Sequence, residues 1–203
     1  YQRLMEQVTD LKPTVVMLFY GNNESFAGEK GLPQFEHDYR KLLDDLSVAA
    51  SNPVFVLVSP HRHMKAGKAL PDPTKNNQHL KMYSLAIERL AHERDSTFVD
   101  MYKPLPSGEW IESENGIHLT PTGYSRASIV FCERLLGPKS HGDISEDLRL
   151  AVIEKNRLYF YRWRPQNVTY LFGFRKHEQG NNAVEVPQFD PLIEEMEAKI
   201  AEL

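Results

Sequence analysis

The sequence predicts an α/β fold in which helices cover a parallel β-sheet. Three short apolar runs rich in β-branched and aromatic residues occur at 14–20, 54–58 and 97–99, and such runs are typical of strands that a parallel sheet buries on both faces. Segments with the apolar spacing of helices separate them, which is the pattern of parallel crossover units. Three strands are few, since sheets of about five strands are usual. We therefore expect either further strands upstream of Tyr1 or a small three-stranded domain covered by the C-terminal segment.

Composition and charge exclude several classes of protein. The 203 residues are 41% hydrophobic and 26% charged, which is a globular composition and unlike that of disordered, collagen-like or coiled-coil chains. Lys and Arg total 24 against 28 Asp and Glu, a formal charge of −4, and this balance argues against a globally basic nucleic-acid binder. The single cysteine, Cys132, excludes an internal disulfide and a Cys-based zinc site. No apolar run reaches the roughly 18 residues that a membrane-spanning helix needs.

The first residues have the pattern of the last turns of an amphipathic helix. Leu4, Met5 and Val8 share one face, and Pro13 pushes Lys12 out of the helical region. The segment has neither an initiator Met nor the basic start and apolar stretch of a signal peptide. We therefore expect the chain to begin inside a fold, in which case the missing signal peptide says nothing about where the protein is located.

The remaining helices follow from apolar periodicity and from end signals. Thr120 and Pro121 have the residue types preferred at the N-cap and at the first helical position, and Gly137 ends the same helix. A polar linker follows, so we predict a domain over 1–137 and a C-terminal extension over 138–203. The expected helices lie at 33–50, 74–94, 121–136, 146–161 and 191–203.

Two segments carry residue types that suit catalysis. Residues 21–25, Gly-Asn-Asn-Glu-Ser, come directly after the first strand, where the ligand sites of open α/β sheets lie. An Asn amide placed there could donate to a developing oxyanion, which is worth about 3 kcal/mol in the transition state. Residues 115–124, Asn-Gly-Ile-His-Leu-Thr-Pro-Thr-Gly-Tyr, place His118 in a loop ahead of a helix, and His is the commonest general base near neutral pH. Taken alone, the first segment is also ordinary turn composition and the second an ordinary solvated loop His.

Together the two segments resemble those of the SGNH hydrolase family, also called GDSL-type esterases and lipases. Residues 19–24, Phe-Tyr-Gly-Asn-Asn-Glu, are similar to the family's Gly-x-Asn block, and the resemblance implies that Asn23 is the oxyanion-hole Asn. Asn-Gly-Ile-His at 115–118 is similar to the Asp-x-x-His block, which implies that His118 is the general base. The resemblance covers 1–137 and implies a flavodoxin-like three-layer α/β/α fold with a parallel sheet, N-terminally incomplete in this chain.

The sequence departs from the family pattern in two ways. The family's nucleophilic Ser lies in a Gly-Asp-Ser-Leu-like block after its first strand, and a Gly after its second strand donates to the oxyanion. Both blocks would lie upstream of Tyr1, so we expect this chain alone to be inactive. The acid three residues before the His is Asn115 here, whose carbonyl can accept the imidazole Nδ1–H but carries no charge. Either His118 works in a Ser–His dyad, or a carboxylate, Glu114 or Asp100, takes the place of the acid.

The loop after the second strand adds weaker signals. His61 and His63 could share a metal ion, but no acid or Cys nearby completes a ligand set, and a polar rim loop is the reading we favour. Together with Gly21 and Asn22, these two histidines are candidate substrate contacts.

Two serines within the chain lie near the candidate segments. Neither Ser25 nor Ser59 is part of a Gly-x-Ser-x-Gly elbow, so neither is the expected nucleophile. We expect Ser25 to cap the segment that follows it, and Ser59 to occupy a strand-end turn before Pro60.

The tail from 155 to 177 combines basic and aromatic residues and contains no Asp or Glu. Such residues can bind single-stranded nucleic acid, dock on an acidic partner, form a homodimer contact, close over the site as a lid or wrap the domain's own surface. We favour self-docking or a dimer contact over a lid, and a lid over nucleic acid. Residues 168–174 have the pattern of a strand or an extended arm. The whole chain, including Arg-Trp-Arg-Pro-Gln-Asn at 162–167, also resembles SGNH-type proteins of planctomycete-like bacteria, which suggests a periplasmic or secreted protein.

The expected function is that of a serine esterase. Ser would attack an ester carbonyl, His118 would take the proton, Asn23 would help to hold the oxyanion, and water would release the acyl group. This chemistry requires neither a metal nor a cofactor. From the breadth of the family we expect an O-acyl group, such as O-acetyl on a carbohydrate or similar small molecule. The competing hypothesis, which Asn115 favours, is a non-catalytic SGNH-like binding module whose tail docks a partner.

Overall fold

A computed structural model describes residues 1–103, 112–138, 144–164, 167–178 and 182–203. These residues belong to two compact units, Tyr1–His141 and Gly142–Leu203. The elements of the first unit are α1 Gln2–Leu11, β1 Val15–Phe19, a 3₁₀ helix Glu24–Ala27, α2 Gly28–Ala49, β2 Val54–Val58, α3 Thr74–Glu93, β3 Thr97–Val99 and α4 Pro121–Leu136.

The three strands form one parallel sheet in the order β1-β2-β3. Val16 lies opposite Phe55, and Leu57 lies opposite Phe98. Because α2 and α3 connect successive parallel strands, the carboxyl ends of all three strands lie at the same edge of the sheet. The predicted α/β class with a parallel sheet is confirmed.

Helices cover both faces of this sheet. Successive side chains of a strand point to opposite faces, and in β2 Phe55 and Leu57 pack into the larger cluster with α1, α2 and α3. Val56 and Val58 point the other way and form a smaller cluster with Val99 and with side chains of α4. The unit is therefore layered as helix, sheet and helix around the central strand β2.

Strand β1 is buried on one face only. Leu18 is buried, whereas Val15, Met17 and Phe19 are 46%, 46% and 63% exposed. The expectation that this run is buried on both faces is therefore wrong for the described structure, because α4, the helix on that face, packs over β3 at the other side of the sheet. An apolar strand with an open edge is a position at which a sheet can accept a further strand.

Two helix starts differ in how well the sequence predicted them. The Thr120 Oγ1 accepts the backbone N–H of Gly123 at 3.0 Å, with Pro121 at the first helical position, so the predicted cap is confirmed. Helix α2 begins at Gly28 rather than at Pro33, which lies inside it. A 3₁₀ helix leads directly into α2, and Pro33, in the second turn, removes only the one bond that its missing N–H would have donated four residues back.

The second unit is helical throughout its described elements. Helices α5 (Glu146–Trp163) and α8 (Phe189–Glu202) pack on each other, and Ala151, Leu158 and Ile193 are buried. The predicted strand or arm at 168–174 is wrong, because the Asn167 Oδ1 accepts the N–H of Thr169 at 3.0 Å and so caps a short helix. The elements are α5 Glu146–Trp163, α6 Val168–Leu171, α7 Asn182–Glu185, a 3₁₀ helix Val186–Gln188 and α8 Phe189–Glu202.

Basic residues of the tail form ion pairs within the second unit. Arg162 pairs with Asp190 at 2.7 Å, and Lys155 lies 3.7 Å from Glu197. Helix α8 thus supplies acids to two of these basic residues, while Arg157 and Arg175 pair with the nearby Glu154 and Glu178. Across the described parts of the chain, no helix combines the length and the apolar character that crossing a membrane requires.

Candidate functional site

A pocket of about 430 Å³ opens at the carboxyl end of the sheet. Residues at the ends of β1 and β2 form one side of it, and α4 forms another. Most of its lining is apolar and includes Phe19 and Phe131, whose rings lie 5.7 Å apart. Asn22, His61 and His118 add polar groups to the wall. The pocket therefore lies where ligands bind in open parallel sheets and combines an apolar surface with a few polar groups, as binding sites commonly do.

Backbone contacts hold the loop that carries His118. The N–H of Glu114 donates to the carbonyl of His118 at 2.8 Å. The N–H of Thr120 donates to the carbonyl of Glu112 at 3.2 Å. Gly116 fixes the loop tip, because its carbonyl accepts the N–H of Met64 at 2.8 Å. Its φ of +88° is one that only glycine adopts without strain.

The Asn115 side chain orients this loop rather than the imidazole. Its Oδ1 accepts the N–H of Ile117 at 3.1 Å and that of His118 at 2.9 Å, which is the geometry of an Asx turn. Among the described residues, no hydrogen bond joins Asn115 or any other group to the ring of His118. The acid position of the family motif is thus occupied by a residue that supports the backbone.

Asp100, one of the two carboxylates considered as a replacement acid, is engaged elsewhere. Its Oδ1 accepts the N–H of Tyr102 at 3.0 Å, the N–H of Lys103 at 3.2 Å and the hydroxyl of Ser59 at 3.3 Å, and it forms an ion pair with Lys103. Glu114, the other candidate, is exposed. Asp100 therefore closes the turn after β3.

The two serines near the candidate segments, Ser25 and Ser59, are buried, and their hydroxyls form structural hydrogen bonds. The Ser59 Oγ accepts the N–H of Tyr102 at 3.0 Å and donates to Asp100. The Ser25 Oγ donates to the carbonyl of Asn22 at 2.6 Å, and Ser25 is fully buried. Ser25 lies within the 3₁₀ helix, so the expectation that it caps the next segment is wrong. Its hydroxyl instead donates to a backbone carbonyl in the turn after β1.

His63 lies behind the pocket wall in a buried network. It is 6% exposed, and burial, reinforced by the nearby His61, lowers its pKa from the ordinary value. Its Nε2 is 2.7 Å from the Asn22 Oδ1, and its Nδ1 is 3.3 Å from the Asn76 Nδ2. The Asn77 side chain binds both the N–H and the carbonyl of His63, at 2.8 and 2.9 Å. Side chains of α3 therefore hold the loop after β2 in its conformation.

The structure brings together only some of the predicted site residues. Asn22, His61 and His118 share the pocket, while Asn23 is exposed at the start of the 3₁₀ helix. Gly21 is buried beneath the turn, with a φ of +100°.

The histidines after β2 do not form a metal site with other side chains. The His61 Nδ1 is 2.9 Å from the carbonyl oxygen of Arg62, and both ring nitrogens of His63 have amide partners. In the part of the chain that the structure describes, no group of three or more His, Cys, Asp or Glu side chains could hold a metal ion.

Residues of α3 and of the segment after β3 support this site, and the sequence did not predict them. Asn76 and Asn77 hold His63, and the Tyr102 hydroxyl donates to the carbonyl of Asn77 at 2.9 Å. The guanidinium of Arg62 lies 4.5 Å from the centre of the Tyr102 ring, which is within the range of a cation–π interaction. The adjacent asparagines at the start of α3 were the available signal, since Asn is uncommon inside helices without a hydrogen-bonding role.

Several solved structures are similar to this chain. An acetyl-xylooligosaccharide esterase from Geobacillus stearothermophilus, in a variant form, is 18% identical, with 70% of this chain and 68% of that chain covered and a TM-score of 0.50. A peptidoglycan O-acetylesterase is 16% identical, with 61% of this chain covered and a TM-score of 0.47. The aligned part spans only 38% of the length of that protein. An aryl esterase of M. smegmatis is 18% identical, with 66% and 67% covered and a TM-score of 0.45.

At these identities the likeness concerns the fold alone, and the fold is that of SGNH hydrolases. No curated protein matches the chain significantly. A model of the GDSL-like lipase/acylhydrolase family, in contrast, matches residues 1–126, more than half of the chain. The chain therefore belongs to the GDSL-like lipase/acylhydrolase family.

Proposed function

We propose that this chain supplies the general base and an oxyanion donor of a serine esterase that hydrolyses O-acyl esters. The observation that carries the proposal is the apolar pocket at the carboxyl end of the sheet, with His118 and Asn22 in its wall. Membership of an acylhydrolase family supports the reaction type. The chemistry requires no metal or cofactor.

In the proposed reaction a serine hydroxyl attacks the ester carbonyl, and His118 accepts the proton from that hydroxyl. The carbonyl oxygen becomes an oxyanion, to which we propose that the amide of Asn23, exposed next to the pocket residue Asn22, donates a hydrogen bond. His118 then returns the proton to the departing alkoxide, which leaves as the alcohol, and the acyl group remains on the serine. Water, deprotonated by His118, attacks the acyl-enzyme and releases the acid and the free serine.

We place the nucleophile on a strand that pairs with the open edge of β1. Ser25 and Ser59 are excluded, because both are buried and their hydroxyls are bound to other groups. Ser128 lines the pocket, but its hydroxyl donates to the carbonyl of Ser125 at 2.8 Å. In the described sheet β1 is the terminal strand and pairs with β2, so its other edge can pair with a neighbouring strand whose carboxyl end would deliver a serine to His118.

We propose that His118 acts in a dyad with this serine. Asn115 is turned to the backbone of its own loop, and Asp100 is held by the turn after β3. Backbone contacts of the loop, not a carboxylate, would then keep the imidazole facing the pocket. A dyad retains the general base but lacks the negative charge that stabilises the imidazolium.

The proposed substrate is a small O-acyl ester, such as an O-acetylated carbohydrate. The pocket wall contains the aromatic rings of Phe19, Tyr20, Tyr124 and Phe131, and such rings suit an acyl group or the apolar face of a sugar. Release of acetate from acetylated xylo-oligosaccharides, compared with hydrolysis of para-nitrophenyl acetate and para-nitrophenyl octanoate, tests this choice. Faster hydrolysis of the octanoate than of either acetate would contradict it.

The experiment that tests the mechanism uses a fluorophosphonate probe, which reacts with activated serines. The probe is applied to the 203-residue chain and to the protein as its own gene encodes it, and peptide mass spectrometry locates the adduct. We expect labelling only in the gene-encoded protein, at a serine outside this chain, and loss of labelling in His118→Ala. The matched control is His37→Ala, since His37 is exposed on α2. Absence of labelling in both proteins would refute the serine-hydrolase mechanism.

The second candidate is a non-catalytic binding module with the shape of an esterase site. The hydrogen bonds of Asn115 to its own loop favour it, because the imidazole then lacks a charged partner among the described residues. Asn115→Asp separates the two candidates, since one carboxylate oxygen can keep the turn while the other faces the imidazole. A catalytic domain should gain esterase activity, whereas a binding module should gain none.

Whichever chemistry the pocket performs, we propose that the tail docks a partner or a second copy of the chain. Arg162 is already paired with Asp190, and the guanidinium of Arg164 lies 4.8 Å from the centre of the Phe160 ring. Arg162→Ala combined with Arg164→Ala should then abolish partner or dimer binding, as measured by sedimentation or pull-down, and leave esterase activity unchanged. A loss of esterase activity in this variant would instead support a lid over the site.

A further inference from the structure

In the buried network behind the pocket, one hydrogen bond determines which groups donate and which accept in the bonds connected to it. The Ser25 Oγ lies 2.6 Å from the carbonyl oxygen of Asn22, and in such a pair only the hydroxyl can donate. Its single proton is thereby used, so Ser25 must act as an acceptor toward the Asn76 amide nitrogen at 3.1 Å. The Asn76 Nδ2 therefore faces both Ser25 and the imidazole of His63.

The orientation of Asn76 determines the tautomer of His63. The Asn76 Nδ2 donates to the His63 Nδ1 at 3.3 Å, so this ring nitrogen carries no proton. The neutral imidazole must then carry its proton on Nε2, which donates to the Asn22 Oδ1 at 2.7 Å. The lowered pKa of His63, caused mainly by burial, agrees with a neutral ring.

The same logic extends from Asn22 to Asn23. Because the Asn22 Oδ1 accepts from His63, the Asn22 Nδ2 points the other way and donates to the Asn23 Oδ1 at 3.3 Å. Because the Asn23 Oδ1 faces Asn22, the Asn23 Nδ2 points away from Asn22 and can donate to a ligand. No hydrogen bond from this nitrogen to another described residue is present. An amide rotated by half a turn would present its oxygen to the oxyanion and repel it.

We propose that His63 is a positioning residue that sets the direction of the Asn23 amide through Asn22. The inference rests on the proposed esterase function and deepens it. His63 touches no reacting atom, and its effect passes through two side-chain amides that could otherwise rotate freely. Burial of the ring, at 6% exposure, shields the bonds of His63 to Asn22 and Asn76 from water. The bond from Asn22 to Asn23 is exposed, so the fixed orientation of Asn22 is what directs it.

The kinetic test uses the gene-encoded protein and para-nitrophenyl acetate. His63→Leu removes the donor to Asn22, and we expect a decrease of about 10- to 100-fold in kcat, since an oxyanion donor contributes on the order of 100- to 1,000-fold. KM should change by less than about twofold, because the amide acts mainly in the transition state. His63→Gln should recover most of kcat, since its amide nitrogen can donate to Asn22 from nearly the same place. His37→Leu, exposed on α2, is the matched control.

A double-mutant cycle separates positioning from loss of structure. If His63 acts through Asn22, then His63→Leu should add no further loss of kcat in a protein that already carries Asn22→Ala. Equal losses in both backgrounds, or an unchanged kcat in His63→Leu, would overturn the proposal. Thermal unfolding of each variant verifies that the assay temperature lies below its transition.

A measurement without turnover distinguishes this proposal from the esterase hypothesis. Ring-nitrogen NMR should find the proton of His63 on Nε2 and none on Nδ1, and Asn22→Ala should shift the Nε2 signal. A proton on Nδ1 would overturn the chain of hydrogen bonds even in an active esterase. If the fluorophosphonate labels no serine, the esterase hypothesis fails, and the NMR result alone then decides whether the Asn22 and Asn23 amides are ordered as inferred.

Discussion

Replacing Gly116 by Ala perturbs the loop of His118 at the point where it meets the loop after β2. The φ of Gly116 is +88°, and a Cβ on this residue would lie 2.3 Å from the backbone oxygen of Met64. Contacts shorter than 3.0 Å essentially do not occur for real Cβ atoms, and backbone cannot move aside as a flexible side chain can. The two loops must therefore separate in Gly116→Ala.

The magnitude of this effect has two parts. A non-glycine residue in a left-handed conformation costs about 1–2 kcal/mol. Separation of the loops also breaks the hydrogen bond from the Met64 N–H to the Gly116 carbonyl, which is worth about 1 kcal/mol. We expect Gly116→Ala to lower the free energy of unfolding by about 2–3 kcal/mol in total.

Gly67 provides a matched control for the first part alone. Its φ is +71°, and a Cβ there would meet no atom within 4 Å, so Gly67→Ala should cost only the conformational part, about 1–2 kcal/mol. Urea unfolding followed by tryptophan fluorescence and by circular dichroism measures both variants. If the two substitutions lower the free energy of unfolding equally, the contact between the loops does not stabilise the protein, and the reasoning is refuted. In the gene-encoded enzyme, Gly116→Ala should also reduce fluorophosphonate labelling more than Gly67→Ala, because it displaces His118.

Three further predictions concern stability and are each checked by urea unfolding. Thr120→Ala removes the cap that accepts the N–H of Gly123 and should cost about 1 kcal/mol, whereas Thr120→Ser should be nearly neutral. Leu57→Ala empties a fully buried site in the central strand and should cost about 2–5 kcal/mol, while Val48→Ala, at an 84% exposed position, should change little. The pKa of His63 is lower in the folded state, so the unfolded chain binds more protons, and stability should decrease as the pH falls through about 6.5, the unfolded value. His63→Gln should weaken this decrease, and an unchanged pH profile would contradict the lowered pKa.

The fold was predictable where the burial of a segment depends on its immediate neighbours in the chain. The run at β2 is apolar throughout because helices cover both of its faces, and the periodicity of α3 matches its buried side chains, including Leu80, Tyr83 and Ile87. The run at β1 is equally apolar, yet three of its five side chains are exposed in the described structure. Composition records that a residue suits burial, but not which element covers it.

The tail shows a second limit, which concerns end signals. The sequence from Val168 onward is rich in β-branched and aromatic residues, and on composition alone a strand is the natural expectation. The chain nevertheless forms a helix there, because Asn167 caps the N–H of Thr169. Strand propensity depends on context, and neither the Asn167 cap nor the burial of Leu171 is registered by composition.

Candidate site residues could be proposed from the sequence where they lie within one short segment. Asn23 and His118 are such candidates, because each lies in a local pattern after a strand or before a helix. Asn76 could not be identified in this way, since it lies in α3 and reaches the turn after β1 only through tertiary packing, as its bonds to Ser25 and His63 require. Supporting residues of this kind leave no spacing pattern in the sequence.

Asn115 illustrates why the motif alone does not decide the chemistry. Its Oδ1 holds the N–H groups of Ile117 and His118, a task that a carboxylate oxygen performs equally well, so the loop fold does not depend on the choice of Asp or Asn. The two residues differ at the second terminal atom, which is an acceptor in Asp and a donor in Asn and which makes no hydrogen bond to the His118 ring among the described residues. The fold of the loop is therefore compatible with both a catalytic and a non-catalytic domain. Asn115→Asp adds a negative charge three residues before His118, and the esterase activity of this variant of the gene-encoded protein separates a dyad of reduced efficiency from a site that binds without turnover.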